Sequence, residues 1–456
     1  MCALRIIFNS SEDKRNEFAL YVRHGQSRTY HISQSDNYWS SSTYQNPGNE
    51  NNAWNVNFNN GNSDANDKTN GNYVRCVREL LYRTLCFMRT ITDQMNTVET
   101  IFTLENLWLA YKSCIKRKKK TVNRLRFELL RERELISLRK ELTERTYCIS
   151  RHISFVVTDP KPREIFAADF RDRVIHHIIY NELAPLCESW FVPTSYANRE
   201  GKGTHSGFKQ VRAYARERPN DWYLKLDVES FFRSIDRPIL FDVIAGLINQ
   251  QEKPEWWKGD MLWICEQVIF CDPTLDYIYR GDTALKALIP KHKSLFYSGG
   301  TGLPIGNLTS QFFANCYLDG LDKYISQTLG FPRYARYVDD FVFLDADKEK
   351  LKSAVVQIEV WLKRERKLNI HPRKIILQRV RHGIDFVGYI IKPTHVLVRR
   401  ATVGRCKQRA EKLRLPCHEK TREKLQAGIS SYLGHFSHAN SYRLRNKFKH
   451  FLKDPK

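Results

Sequence analysis

Two stretches of the chain carry acids whose placement could support chemistry. In the first, Tyr223, Lys225 and Asp227 alternate with Leu224, Leu226 and Val228. A strand sends these two sets to opposite faces. One face is apolar and can sit on a core. The other ends in a carboxylate, followed by Glu229 and then Phe231–Phe232. An acid at the end of a half-buried strand is costly unless it is solvated, paired or bound to a cation. The second stretch runs from Arg336 to Leu344, with apolar residues on both sides of Asp339–Asp340. Its simplest geometry is a β-hairpin with both aspartates at the tip. Asp-Asp is not a favoured two-residue turn, and adjacent like charges repel. A local rule broken in this way points to function. A divalent cation removes both difficulties. Asp227, Asp339 and Asp340 together form an oxygen donor set of the kind Mg²⁺ uses beside substrate phosphates. Two such ions about 4 Å apart can activate an attacking oxygen and stabilise a leaving one.

These acids need a scaffold, and the composition says what kind. The chain has 456 residues, of which 42% are hydrophobic and 12% aromatic. This allows a sizeable core in two or three subdomains and excludes a disordered chain. The 74 Lys and Arg outweigh the 50 Asp and Glu by 24 charges, which favours a polyanionic partner such as nucleic acid or an anionic membrane surface. No apolar run reaches the roughly 18 residues of a membrane span. The N-terminus lacks the order of a secretory signal, and the eleven cysteines form no CxxC pair. Reduced, mostly buried thiols in a cytoplasmic protein are expected, with no membrane association.

Residues 46–72 hold twelve asparagines in twenty-seven positions. Asn favours turns over helix and strand interiors, so this region is expected to be poorly folded. From Thr103, a plausible N-cap, Leu104, Leu107, Trp108, Tyr111, Cys114 and Ile115 recur at helical spacing. A second helical stretch is expected over 124–145, with Leu125, Leu129, Leu135, Ile136, Leu138 and Leu142 as its apolar positions. Beyond residue 150, strand-like runs (ISFVV, WYLKLDV, YVDDFVFL, IDFVGYII, HVLV) alternate with helical ones, which predicts an α+β fold. The last fifty residues read as basic helices. His176 and His177 have no ligand partner at metal spacing and read as structural.

With these motifs in place, the sequence resembles the reverse transcriptases. YVDD at 337–340 resembles their catalytic hairpin, and LKLDVESFFRSID at 224–236 the strand bearing the first metal-binding acid. GTGLPIGNLTSQFFANCYLDGLD at 300–322 resembles the loop and helix against the incoming nucleotide. LNIHPRKI at 368–375 resembles the segment that brings a lysine to the triphosphate, and IDFVGYII at 384–391 the hairpin gripping the primer. KPREIFAADFRDRVIHHII at 161–179 resembles the fingers. The motifs stand in the family's order over roughly residues 100–445.

The resemblance implies a right-hand polymerase of fingers, palm and thumb. It parses the chain into an Asn-rich extension (1–87), N-terminal helices (88–150), fingers and palm (151–392) and a basic helical thumb (393–456). It implies RNA-directed DNA synthesis from dNTPs on a template RNA and a primer. Two Mg²⁺ ions, or Mn²⁺, would be held by Asp227, Val228, Asp339 and Asp340, with Lys374 beside the triphosphate. Lys161, Arg163, Phe232, Ile305, Gly306, Ser310 and Gln311 would meet the nucleotide, with Ser310 and Gln311 in one pocket. Phe232 would stack under the sugar and exclude a 2′-hydroxyl. Arg171, Tyr337, Phe386, Gly388 and Tyr389 would meet primer or template.

Within the family, the sequence is most similar to the enzymes of diversity-generating retroelements. Their likeness rests on Gly302 to Gln311, where intron-encoded relatives usually carry Gln in place of Ile305 and Pro in place of Gln311. Apolar fit discriminates less than hydrogen bonding does. A low-fidelity enzyme is therefore expected, and the resemblance implies that it is error-prone opposite template adenines and works with a small basic helical accessory protein. The alternatives are a group II intron or defence-associated reverse transcriptase, or a non-catalytic RNA-binding protein on the same scaffold. No HNH or zinc segment follows residue 450, which makes a full intron protein the less expected of these. Residues 38–80 also resemble the end of a C-type-lectin-like domain. A translated template repeat, with Met88 or Met95 as the authentic start, accounts for that likeness better than a lectin remnant does.

Overall fold

The computed structural model describes residues 99–116, 118–416 and 418–452, together with strand segments at 37–43, 52–57 and 63–67. The chain divides into two units, Met1–Val98 and Glu99–Lys456. In the first, β1 (Asn37–Thr43), β2 (Asn52–Asn57) and β3 (Ser63–Asp67) form an antiparallel sheet in that order. This differs from the turn-rich segment expected there. Trp54 and Val56 alternate with Asn55 and Asn57, and that period of two competes with the poor strand preference of Asn. The proposed start residues Met88 and Met95, and the rest of the extension, lie outside the described residues.

The second unit begins with α1 (Leu104–Ile115), α2 (Val122–Leu129) and α3 (Arg131–Thr143). The Thr103 side chain caps α1 by accepting from the Asn106 N–H, as its sequence suggests. The single helix expected over 124–145 is instead two. Leu130 leaves helical geometry, at φ −119° and ψ 26°. Leu135, Leu138 and Leu142 face the core, but Leu125, Leu129 and Ile136 do not, and Arg124 and Phe127 are buried in their place.

Next come β4 (His152–Val157), β5 (Arg163–Ala167), α4 (Phe170–Glu188), α5 (Thr204–Glu217) and β6 (Trp222–Asp227). The short helix α6 (Phe231–Ser234) leads to α7 (Arg237–Asn249), α8 (Glu255–Phe270) and β7 (Tyr277–Tyr279). A long loop reaches α9 (Leu308–Lys323), followed by the hairpin of β8 (Tyr334–Tyr337) and β9 (Asp340–Asp345), then α10 (Lys348–Arg366). Strands β10 (Ile376–Arg379), β11 (Ile384–Phe386), β12 (Tyr389–Ile391) and β13 (Val396–Val398) precede α11 (Arg400–Leu413), α12 (Glu419–Phe436) and α13 (Tyr442–Lys449).

Strands pair as β10-β6-β9-β8, β5-β4-β7 and β11-β12-β13, a mixed helix-and-strand architecture. Leu224, Leu226 and Val228 enter a large core with α4, α7, α8, α9 and α10. The opposite face is covered too: Tyr223 and Val342 pack with Ile384, Phe386, Tyr389 and Val396. The polar face of β6, expected to be open, is therefore roofed by the β11–β13 sheet. The terminal helices have a separate small core around Cys406, Ile429, Phe436 and Phe448. Among the described residues, no helix is long and apolar enough to cross a membrane.

Candidate catalytic site

Strand β9 lies between β6 and β8, and its register fixes the acids. Asp340 stands opposite Asp227 on one side and opposite Tyr337 on the other. The two-residue turn is therefore Val338–Asp339, and Asp340 is the first residue of β9. This corrects the expectation of two aspartates at the tip. The strain sits on Val338, a β-branched residue at φ +60°. Arg336 holds that turn from below. Its Nη1 donates to the Val338 carbonyl at 2.9 Å, and Nε and Nη2 both donate to the Asp322 carboxylate at 2.6 Å. Ser195 and Asn315 complete this fully buried cluster.

The end of β6 is anchored from the other side. The His371 N–H donates to the Asp227 carbonyl at 2.8 Å, and Val228 bridges Ile370. These contacts bring Lys374 to the acids, with its Nζ 2.6 Å from Asp227 Oδ1. Lys225, two residues before Asp227 on the same strand face, places its Nζ 3.0 Å from Asp340 Oδ2. Asp340 Oδ1 is buried and has no hydrogen-bond partner. Burial, and next the charge of Asp227, push Asp339 up to about 6. Burial pushes Asp340 up to about 6 as well, against the pull of Lys225.

Hard carboxylate oxygens, an orphaned one among them, and mutual repulsion between acids fit a divalent cation. Among the described residues, no group of three acid, histidine or cysteine side chains is already drawn together as a ligand shell. Lys374 and Lys225 hold Asp227 and Asp340 instead.

The loop before α9 is tied to the segment that follows β6. The Gly302 N–H donates to the Ile235 carbonyl and the Leu303 N–H to the Phe232 carbonyl, both at 2.7 Å. Phe231 is buried in the core while Phe232 is half-exposed, so the two differ as the sequence reading supposed. The Ile305 carbonyl accepts from the Phe166 N–H at 3.1 Å, and Gly306, at φ +126°, leaves room only for a hydrogen beside Ile165. Ile305 is half-buried, and Lys161, Arg163 and Gln311 are exposed.

Several expected contact residues are placed otherwise. Ser310 is buried and lines an internal cavity with His152, His176 and Cys271, while Gln311 is exposed. Arg171 is ion-paired with Glu141 and lies over the Tyr147 ring. Phe386 and Tyr389 are fully buried. The Tyr389 ring stacks on His435, and its hydroxyl donates to the His435 carbonyl at 2.9 Å. The turn between them is half-buried, with Gly388 at φ +92°. The half-exposed Tyr337 accepts a hydrogen bond from the Thr204 hydroxyl. His176 and His177 are packed against helices, and burial lowers them to about 3 and about 4.

Sequence reasoning named Lys225 and Arg336 but gave them no role, and it passed over Arg399. For Lys225 the signal was present, since a period of two puts it on the face of Asp227.

Two solved structures resemble this chain. One is described as "Structure of telomerase from Candida albicans in complexe with TWJ fragment of telomeric RNA": 13% identity, 66% of this chain and 60% of that one covered, TM-score 0.39. The other, "Structure of apo telomerase from Candida Tropicalis", has 13% identity, 67% and 61% coverage and a TM-score of 0.41. The chain thus spans about three fifths of the length of these structures. No curated protein matches. The family model described as reverse transcriptase (RNA-dependent DNA polymerase) matches residues 158–391, just over half of the chain and every acid of the site. The chain belongs to the reverse transcriptase family.

Proposed function

We propose that the protein is an RNA-directed DNA polymerase in which Asp227, Asp339 and Asp340 hold the catalytic divalent metal. The observation carrying this reading is the β6–β9 register, which sets Asp227 against Asp340 beside the Asp339 turn. Reverse transcriptases use divalent metals. When bound, two such ions, Mg²⁺ or Mn²⁺, would lower the energy of the attacking alkoxide and the leaving pyrophosphate. The chain's own residues do the rest. The carboxylates fix the site at the end of a rigid sheet, with Val228 beside Asp227. Lys374, with the exposed Lys161 before β5 and the exposed Arg163 at its start, neutralises the triphosphate. Phe232 and the Ile305–Gly306 loop border the sugar and base. The primer 3′-hydroxyl attacks the α-phosphate, and pyrophosphate leaves. The Gly388 turn supports the primer end, and α11–α13 act as a basic thumb on the duplex behind residues 151–392.

The finer reading is the enzyme of a diversity-generating retroelement. Ile305, in a loop hydrogen-bonded to β5, supports it because an apolar side chain there cannot hydrogen-bond the nucleotide. This reading includes a template-repeat RNA, a small basic helical accessory protein and a cytoplasmic setting.

Primer extension on an RNA template with dNTPs and Mg²⁺ tests the main claim, with Asp339→Ala as control. Extension by the parent and none by the variant is expected, whereas a parent that does not extend would leave a binding protein. Ile305→Gln should lower misincorporation opposite adenine, and an unchanged error rate would remove the finer reading.

A further inference from the structure

One polar chain leaves the site and runs beneath the β11–β12 hairpin. Lys225 is only 8% exposed, and its ammonium has two partners. It meets Asp340 Oδ2 at 3.0 Å and donates to the Asp385 carbonyl at 2.7 Å. The Asp385 carboxylate accepts from Arg399 Nε at 2.7 Å. The Arg399 backbone N–H donates to the Gly388 carbonyl at 2.9 Å, in the hairpin turn. Arg399 also starts α11 as its N-cap. Three residues, Lys225, Asp385 and Arg399, thus connect a strand-end acid to the turn and to the first of the terminal helices.

The register makes this possible. Lys225 pairs with Val342, one diagonal step from Asp340, so its long stem can lie along β9 to reach the carboxylate. The same strand face carries a second rung, from the Tyr223 hydroxyl to the Gly383 carbonyl at 3.1 Å. Lys225 uses Oδ2 of Asp340, while Oδ1 is the buried oxygen with no partner. The ammonium therefore sets which oxygen of Asp340 is available to a ligand.

We propose that Lys225 is a positioning residue that fixes the Asp340 carboxylate and ties it, through Asp385 and Arg399, to the hairpin turn and helix α11. This rests on the polymerase reading above, and it adds a coupling between primer-side seating and the geometry of the acid. Two effects of Lys225 then oppose each other. Its positive charge near Asp340 weakens divalent-cation binding. Its hydrogen bond holds the carboxylate in the useful orientation. A residue that merely stabilised the fold would show no such opposition.

The test uses the full chain with Lys225→Met, Lys225→Arg and Arg399→Gln. Mn²⁺ binding is read by electron paramagnetic resonance, and extension of a pre-annealed primer by single-turnover kinetics. Lys225→Met should bind Mn²⁺ several-fold more tightly yet extend on the order of tenfold or more slowly. Lys225→Arg should recover part of the rate. Arg399→Gln should slow extension without changing Mn²⁺ affinity, and its effect should be less than additive with Lys225→Met. Mn²⁺ affinity and rate falling together, an unchanged rate, full additivity, or unfolding of both Lys225 variants by circular dichroism would each overturn the proposal. A parent that fails to extend would instead remove the polymerase reading, so the two failures are distinguishable.

Discussion

Asp227 and Asp340 stand directly opposite each other on neighbouring antiparallel strands. Like charges in that relation destabilise a sheet. The fold tolerates them by setting a lysine against each: Lys374 at 2.6 Å from Asp227 and Lys225 at 3.0 Å from Asp340. Asp339, at the turn, has no lysine against it in this way, and burial with the Asp227 charge holds it up to about 6.

That displacement has a measurable cost. Because the folded-state value lies above the ordinary 3.8, the protonated acid is compatible with the fold and the ionised one is not. Stability is fully present below about pH 4 and is lost as the pH rises through about 6. Asp339→Asn cannot ionise. In chelator it should be more stable than the parent at pH 7.5, by about 2–3 kcal/mol, and equal to it near pH 4. Urea unfolding at the two pH values measures this, and a difference independent of pH would contradict it.

Gly302 is the tightest point of the loop before α9. A Cβ there, at φ +91°, would sit 2.6 Å from the Arg233 carbonyl oxygen. Gly302→Ala should cost about 1–3 kcal/mol from strain at this backbone geometry. Gly246, inside α7 with nothing within 4 Å of its Cβ position, is the control. Gly246→Ala should gain up to about 1 kcal/mol, because Ala is the better helix former. Thermal melting of both variants is the measurement.

Arg336 and Asp322 are both completely buried, and Arg336 also holds the Val338 carbonyl. Arg336→Met leaves the Asp322 charge unpaired, which should cost about 3–5 kcal/mol. Pairing it with Asp322→Leu should recover much of that stability. Extension activity should stay low in the pair, because the turn carrying Asp339 has lost its donor. Chemical denaturation and primer extension on the single and double variants separate the two effects.

Much of the site was legible because it depends on local pattern. The alternation around Asp227 and the apolar flanks of Asp339–Asp340 fix two strands and the faces their side chains take. What the sequence left hidden depends on partners far along the chain. Nothing near Arg171 in sequence announces Glu141. The aromatic residues of the 384–391 hairpin read as primer contacts until α5 and α12 bury them, with Phe208 and His435 against Tyr389. The exact turn residue was also hidden. Pattern alone leaves a one-residue ambiguity, and Arg336, bound to both Asp322 and the Val338 carbonyl, accompanies strain on Val338 rather than on the acid pair. The break at Leu130 carries no proline or glycine to mark it.

The central claim is that Asp227, Asp339 and Asp340 serve one divalent-metal site. Replacing Mg²⁺ with Fe²⁺, and adding ascorbate and peroxide, cleaves a chain beside the bound ion. The account predicts cuts near residue 227 and near residues 338–340 in the same molecules, suppressed by excess Mg²⁺ and absent in Asp227→Asn. Cuts at only one of these segments, or a pattern indifferent to Mg²⁺ and to that substitution, would contradict it.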